Sequence, residues 1–318
     1  MKTTFIGLGR MGAPMAKRLI DAGFQVGVYN RSREKTEPFL PLKCEIHPDL
    51  KSALKGCDLL FTMLSDDSAL LDVLNGKTSR LLNRSSIHVS HSTVSPGVIK
   101  KTETLLNRRG GVQVCAPVMG RPEAAAAGAL KVLLAGPDGA KETIRPYLAP
   151  LGEVFDFGSD PSSALIVKLG FNFMIAAAIE TLSEAFTFVE NNGVNQGGFF
   201  RLVTETLFSA PAFKTYGDII LKGDFDQAGF PVALGRKDLG LVTAQALETN
   251  STMPIASVAE TRLGRALNLG WGEKDWCCVS DIQRAESRLH KRKKEPVQPP
   301  PRGAFPPPLR RGRKKPGK

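Results

Sequence analysis

The chain has 318 residues, of which 42% are hydrophobic, and a formal net charge of +12 at pH 7, which is enough length for two globular domains of ordinary size. Its five cysteines are scattered and lack metal-ligand spacing, which predicts reduced thiols and no metal site. Polar or charged residues interrupt every apolar run of transmembrane length, and the N-terminus lacks the pattern of a signal peptide, so we expect a cytoplasmic protein that does not span a membrane.

The first predicted element is a buried strand over residues 2–6, which leads directly into a glycine-rich loop and a helix pattern over residues 13–19. A G-x-G-x-x-G sequence between a strand and a helix is the context of a dinucleotide-binding fingerprint. Its glycines permit a tight turn, close approach of the pyrophosphate and close packing of the helix, whose N-terminus faces the phosphates. The candidate cofactor-binding residues of this loop are Gly7, Leu8, Gly9, Arg10, Met11 and Gly12.

A second strand is predicted over residues 25–29, and it ends at Asn30-Arg31-Ser32. An NAD site usually has an acidic residue at this point, holding the ribose 2′-hydroxyl. Here no carboxylate is present to repel a 2′-phosphate, and Arg31 can pair with one. The sequence therefore favours NADP as cofactor, with NAD possible, although Arg31 alone could be a solvated loop residue.

The α/β alternation continues with strands predicted over residues 58–64, 86–90, 112–115 and 130–135, and with helices beginning near Ser65 and over residues 139–148. Ligands lie beyond the carboxyl ends of such strands, so Met63 and Leu64 are expected near the nicotinamide ribose. Ser92 and Thr93 could bind a carboxylate or a cofactor amide, or cap the next helix. Backbone N–H groups around Gly120 could hold an anion, and residues 123–128 are a loop or short helix.

From Ser163 the alternation stops and helices are predicted over residues 163–191, 197–207, 211–221, 231–248 and 254–269. The sequence thus indicates an α/β fold, with a doubly wound NADP-binding domain at 1–162 and an all-helical substrate and dimerisation domain at 163–287. The apolar content of the second domain exceeds what a small bundle buries, so we expect a homodimer or homotetramer.

The long helix begins with a lysine and an asparagine on one face, Lys168 and Asn172, which are four residues apart and therefore one turn apart. A mostly apolar surround would remove hydration from Lys168 and make it easier to deprotonate, as a general acid near neutral pH requires. A second pair, Lys237-Asp238, falls on a later helix and could reach back into the cleft. Taken alone, each pair could also be a solvated or capping feature.

Beyond Leu289 the composition changes abruptly. Residues 288–318 hold twelve Lys or Arg, one Glu and eight of the 22 prolines, which leaves a net charge of +1 on residues 1–287. Such a segment cannot bury a core, and we expect a disordered basic, Pro-rich tail. The tail could act as a localisation signal, contact nucleic acid or serve as an SH3-type ligand. We favour the interpretation that it is a non-functional extension.

These motifs, in this order, resemble the β-hydroxyacid dehydrogenase family, which includes 3-hydroxyisobutyrate dehydrogenase and glyoxylate/succinic semialdehyde reductase. The resemblance covers residues 2–287 and lies in the glycine-rich loop, Ser92-Thr93 before Pro96, Lys168-x-x-x-Asn172 and Lys237-Asp238. It implies a Rossmann-type sheet followed by an all-α domain of the 6-phosphogluconate dehydrogenase type. It also implies an NADP-preferring oxidoreductase acting on a small hydroxy acid or aldehyde acid.

The resemblance also implies roles for individual residues. Lys168 matches the catalytic lysine, and Asn172 matches its neighbour that orients the substrate. Thr93 and Lys237 match residues that contact the cofactor. The residues expected to contact the substrate are Ser92, Thr93, Gly120, Phe230 and Asp238. The chain departs from the family pattern at Ser90, where an acidic residue is common, and at Met119-Gly120-Arg121, where Ser-Gly-Gly is usual, so the substrate is left open.

Two other functions remain open at this stage. An imine reductase can share the fold, although those proteins commonly lack the lysine that stands here at position 168. The other is a catalytically silent module that contacts chromatin or nucleic acid through the basic tail. We expect an enzyme with a small carboxylate substrate and do not expect nucleic acid as a partner.

Overall fold

A computed structural model describes residues 1–287 of the chain. The predicted basic tail, residues 288–318, lies outside the described residues. Strands occupy the first half of this range, and from Pro161 onward the regular elements are helices.

The central sheet has five parallel strands, and their order is β2-β1-β3-β4-β5. The strands are β1 (Thr3–Ile6), β2 (Val26–Tyr29), β3 (Leu59–Thr62), β4 (Ile87–Ser90) and β5 (Val112–Cys115). Because β1 has β2 on one side and β3 on the other, the order reverses there. In open α/β sheets a crevice for ligands forms beyond the carboxyl ends of the strands at such a point.

Helices pack on both faces of this sheet, as its buried strands require. They are α1 (Gly12–Asp21), α2 (Leu50–Leu54), α3 (Asp67–Val73), α4 (Pro96–Asn107), α5 (Pro122–Ala127) and α6 (Asp138–Leu148). A second sheet contains β6 (Val118–Met119), β7 (Leu130–Leu134) and β8 (Gly152–Asp156), in that order. A bridge between Cys115 and Ala135 joins the two sheets. The predicted α/β fold is therefore confirmed, but β6, β8 and α2 were not predicted.

The helical part is organised around α7 (Pro161–Asn191), against which the later helices pack. These are α8 (Gln196–Glu205), α9 (Pro211–Lys222), α10 (Val232–Glu248), α11 (Pro254–Asn268) and α12 (Val279–Glu286). The apolar residues that recur along α7 at helical spacing enter the core; Leu169, Ile179 and Phe186 are at most 3% exposed. Because of this spacing, one apolar face of α7 can pack against the other helices of the bundle.

By length and composition alone, α7 could cross a membrane, since an 18-residue window has a mean hydropathy of 1.7. In this fold it lies against six other helices, α4 and α8 to α12, and buries the polar side chains Asn172, Glu180 and Ser183. Arg262 pairs with Glu180 at 2.9 Å. These contacts are typical of the core helix of a globular domain.

Candidate active site

The glycine-rich loop between β1 and α1 closes tightly against the end of β3. Gly7 has φ +99°, and a Cβ there would lie 2.2 Å from the carbonyl oxygen of Met63. A Cβ at Gly12 would lie 1.9 Å from the carbonyl oxygen of Gly7. Both positions therefore require glycine, one for its backbone conformation and the other for the approach of helix to loop.

Gly9 differs, because a Cβ there would meet no atom within 4 Å among the described residues. The N-terminus of α1 beside it has no side-chain cap. Ala13 N donates to the carbonyl of Gly9 and Pro14 has no N–H, so among the described residues the N–H groups of Met11 and Gly12 are left to a ligand. An open cradle at a helix N-terminus fits a dinucleotide pyrophosphate. Leu8 serves the loop differently, since its side chain is buried and its N–H donates to Asn30 Oδ1 at 2.9 Å.

The loop after β2 is held by the same asparagine. Asn30 Nδ2 donates to the carbonyl of Ser32 at 2.9 Å, so one side chain fixes both the glycine-rich loop and the turn beyond β2. Arg31 lies between them and is exposed. This places a free-standing guanidinium beside the expected position of the adenosine ribose.

Ser92, predicted as a substrate contact, joins two loops in the structure. Its side chain is fully buried, and its Oγ accepts a hydrogen bond from Leu64 N at 2.8 Å. It therefore connects the loops that follow β4 and β3. Thr93 is half-buried and stands at the rim of the cleft. Capping of the next helix falls to Ser95, whose Oγ accepts from Val98 N.

On the other side of the cleft, α7 and α10 bring the predicted polar residues together. Asn172 Nδ2 donates to Asp238 Oδ2 at 2.6 Å, and both side chains are at most 3% exposed. Lys168 lies one turn before Asn172 on α7 and is half-buried. Two residues separated by 66 positions in the chain thus form one buried pair next to the lysine.

Lys237 connects this cluster to the α/β part. Its Nζ donates to the carbonyl oxygens of Thr93, at 2.6 Å, and Ser65, at 3.2 Å, and lies 2.8 Å from Asp238 Oδ1. The acceptors belong to the loops after β4 and β3, which border the crevice of the sheet. The lysine cluster therefore faces the ends of the strands where the dinucleotide is expected.

The electrostatics of the cluster act mainly on Lys168. Loss of hydration lowers its pKa from the usual value near 10.5 to about 8, the negative charge of Asp238 opposes this change, and the positive charge of Lys237 adds to it. An ammonium with a pKa of about 8 is mostly protonated at neutral pH and can still release its proton. The arrangement can therefore donate a proton to an oxygen atom, or accept one from it.

Comparison with known proteins identifies the family. A family model described as the NAD binding domain of 6-phosphogluconate dehydrogenase matches residues 2–159. Another, described as NAD-binding of NADP-dependent 3-hydroxyisobutyrate dehydrogenase, matches residues 163–280. An uncharacterized oxidoreductase of Bacillus subtilis (strain 168), YfjR, is 35% identical over 282 residues, which are 88% of this chain and 98% of that protein. The chain belongs to the β-hydroxyacid dehydrogenase family.

Other members of the β-hydroxyacid dehydrogenase family are more distant. The chloroplastic glyoxylate/succinic semialdehyde reductase 2 of Arabidopsis thaliana is 27% identical, with 89% of this chain and 80% of that protein covered. The structure of a 3-hydroxyisobutyrate dehydrogenase of Mycobacterium tuberculosis with L-serine superposes with a TM-score of 0.81 at 24% identity, covering 89% and 100% of the two chains. That likeness shows the fold. The chain is thus an NAD(P)-dependent oxidoreductase of this family.

Two residues predicted to contact the substrate, Gly120 and Phe230, lie near further side chains that join the two parts of the molecule. Gly120, with φ +137°, is exposed, and the ring of Phe230 packs edge-on against Trp276 with centroids 4.7 Å apart. Arg121, which departs from the family pattern, lies in this region together with Tyr216 and Asp275. Asp275 is buried, and its carboxylate accepts hydrogen bonds from the backbone N–H groups of Gly229 and Phe230.

Metal chemistry has no visible basis in the part of the chain that the structure describes. Within residues 1–287 no three His, Cys, Asp or Glu side chains stand close enough to share a metal ion. The five cysteines are free thiols, and four of them are buried.

Proposed function

We propose that this oxidoreductase catalyses the reversible reduction of a small aldehyde acid or 2-oxo acid to the hydroxy acid, with NADPH as the reductant. When bound, the nicotinamide supplies the hydride. The observation that supports this most is the position of Lys168, which has a pKa of about 8 and stands beside the Asn172–Asp238 pair, opposite the strand ends.

Lys168 acts as the general acid in the direction of reduction. With a pKa of about 8, roughly nine-tenths of it is protonated at pH 7, so it can stabilise and protonate the alkoxide oxygen that develops at the carbonyl. In the direction of oxidation the neutral amine takes the proton of the hydroxyl group. Reduction should therefore weaken as the pH rises through 8, and oxidation should strengthen.

Asn172 and Asp238 fix the geometry around Lys168. The carboxylate of Asp238 accepts from Asn172 and faces Lys237, so it is held from two sides. A buried carboxylate with a hydrogen bond on one oxygen and an ion pair on the other is fixed in position. Its hydrogen bond to Nδ2 in turn fixes the amide of Asn172 on the face of α7 that also carries Lys168. We assign Asn172 to substrate orientation, and Asp238 and Phe230 to the lining of the substrate pocket.

The cofactor side supports NADP over NAD. Gly9 and the uncapped start of α1, with Arg10 and Met11 between them, would hold the pyrophosphate, and Arg31 would pair with a 2′-phosphate. Thr93 and Lys237, with the loop of Met63 and Leu64, border the nicotinamide end. The bonds from Lys237 Nζ to the carbonyl oxygens of Thr93 and Ser65 hold this lysine at the nicotinamide end.

We also propose that the chain assembles as a homodimer or homotetramer in the cytoplasm. α7 leaves a row of large apolar side chains exposed, although it is the core helix of its domain. Phe171 is 43% exposed, Met174 65% and Phe188 69%. A second copy of the chain is a suitable cover for such a surface.

The test is NADPH oxidation, compared with NADH oxidation, in the presence of glyoxylate, succinic semialdehyde, tartronate semialdehyde or methylmalonate semialdehyde. Turnover of one of these acids with NADPH preferred is the expected result. Binding of NADPH without turnover of any of them, but with turnover of a cyclic imine, would contradict the proposed substrate class.

A further inference from the structure

Arg121 reaches from the α/β part into the helical part, where it lies against Tyr216, Asp275 and Gly229. Its guanidinium lies 5.7 Å from the ring centroid of Tyr216, and its Nη2 lies 3.8 Å from Asp275 Oδ2. It also packs on Gly229 so closely that a Cβ there would lie 2.2 Å from Nη1. The glycine thus leaves the space that the guanidinium occupies.

Asp275 does not need Arg121 as a partner. Its Oδ2 accepts from the N–H groups of Gly229 and Phe230, at 3.0 and 3.2 Å, and its Oδ1 accepts from Cys277 N at 3.1 Å. Three backbone donors therefore stabilise this buried carboxylate. The 3.8 Å separation from Arg121 Nη2 is an ion-pair distance but too long for a hydrogen bond.

The guanidinium consequently keeps an unused donor. Arg121 Nη2 is buried and makes no hydrogen bond within residues 1–287, while a third of the side chain as a whole remains exposed. A buried polar nitrogen without a partner is costly, because it has lost hydration without replacement. Because a third of its side chain is exposed, this arginine can offer a hydrogen bond to an anion that arrives from outside.

The charges of the cleft support the same conclusion. Lys168 and Lys237 both lie in the field of Asp238, and Asp66 adds a further negative charge near Lys237. Arg121 lies beside Asp275, whose oxygens already accept from three backbone N–H groups. Lys237 donates to two carbonyl oxygens, whereas Arg121 Nη2 donates to no atom of residues 1–287.

We propose that Arg121 binds the anionic group of the substrate and thereby selects acids over neutral aldehydes. This inference rests on the proposed function, since it gives the reductase a specificity-determining residue. The planar guanidinium can hold a carboxylate through charge-assisted hydrogen bonds. A cation–π contact with the ring of Tyr216 helps to hold the guanidinium in position. Phe230, next to Gly229, contributes an apolar wall for the carbon chain between the two ends.

The separation of the two ends of the proposed site follows from α10. The guanidinium of Arg121 packs on Gly229, just before α10 begins at Val232, and Asp238 is six residues beyond Val232, which at 1.5 Å per residue is about 9 Å along the axis. A substrate that contacts both Lys168 and Arg121 therefore needs several bonds between its carbonyl carbon and its anionic group. Succinic semialdehyde meets this condition, and butanal is its neutral counterpart of equal chain length.

The experiment compares the wild type with Arg121→Gln, Arg121→Lys and a control, Arg145→Gln. Arg145 pairs with Glu142 and Asp156 away from the cleft. Steady-state reduction by NADPH is measured with succinic semialdehyde and with butanal, and the affinity of the full-length protein with NADP⁺ for succinate is measured by calorimetry.

We expect Arg121→Gln to raise KM for succinic semialdehyde and Kd for succinate by roughly 10- to 100-fold, with kcat within threefold. Values of kcat/KM for butanal should not change, Arg121→Lys should recover part of the loss, and Arg145→Gln should match the wild type. Equal losses with both aldehydes, or no loss with either, would overturn the inference.

The succinate titration separates this inference from the proposed function. If the wild type reduces neither these two aldehydes nor the other three acids named above, the proposed function fails, and the titration alone decides the role of Arg121. Weaker succinate binding in Arg121→Gln than in the wild type would then support it. Equal binding, or none in either protein, would refute it.

Discussion

The carboxylate of Asp238 should determine the pH at which reduction fails. The side chain of Asp238 is 2% exposed, and its negative charge raises the pKa of Lys168. Loss of hydration lowers this pKa by more, so that the net value is about 8. Asp238→Asn removes this charge while keeping the size of the side chain and an oxygen that can accept from Asn172. The pKa of Lys168 should therefore fall below its present value.

The expected size of the change follows from the surroundings of the pair. An opposite charge at close range shifts a pKa by roughly 1–3 units, and we take about one unit because Lys237 already offsets part of the charge of Asp238. With a pKa near 7 in place of about 8, the protonated fraction of Lys168 at pH 8 falls from about one-half to about one-tenth. At pH 6 both proteins are about nine-tenths protonated or more.

The assay is the pH profile of kcat/KM for reduction between pH 5.5 and 9.5, a range of about four units around the pKa values involved. The variant should lose about fivefold relative to the wild type at pH 8 and little at pH 6. Asp218→Asn, which alters an exposed carboxylate paired with Lys222 on α9, should not move the profile. An alkaline limb in Asp238→Asn that stays in place or moves to higher pH would refute this account of Lys168.

Two further predictions concern the cofactor side. Gly9→Ala should keep the melting temperature of the wild type and weaken NADPH binding, whereas Gly12→Ala should lower the melting temperature because its Cβ meets the carbonyl of Gly7. Thermal unfolding with and without NADPH checks both variants. Equal melting temperatures for the two variants would be inconsistent with this geometry. Arg31→Gln should raise KM for NADPH by roughly 10- to 100-fold and leave KM for NADH unchanged, and a parallel rise for both cofactors in initial-rate assays would exclude a contact with the 2′-phosphate.

The sequence was informative wherever a local pattern carried the structure. Short buried strands, the glycine-rich loop and the apolar spacing along α7 each depend on residues close together in the chain, and all are found where they were predicted. The second sheet was missed because β6 has two residues and β8 alternates without a buried face, with Phe155 42% exposed. α2 is short and depends on its Asp49 cap.

The site was harder to predict because its contacts join distant parts of the chain. Lys168 and Asn172 could be placed on one helix face from their spacing, but the bond from Asn172 to Asp238 spans 66 residues. The bond from Lys237 to Thr93 spans 144 residues and requires both halves of the molecule to be folded. Ser92 is predicted in the substrate site because a hydroxyl at a strand end suits an anion, and its bond from Leu64 N, 28 residues away in the chain, could not be predicted from local spacing.

The most direct test of the central claim is the turnover of Lys168→Ala at saturating NADPH, with Lys131→Ala as the control, since Lys131 is an exposed partner of Glu153. If Lys168 is the general acid, its loss should lower kcat by roughly 10²- to 10⁴-fold. The Kd for NADPH, measured by fluorescence titration, should stay within threefold of the wild type. A Lys168→Ala protein that binds NADPH and retains the turnover of the wild type would contradict the claim.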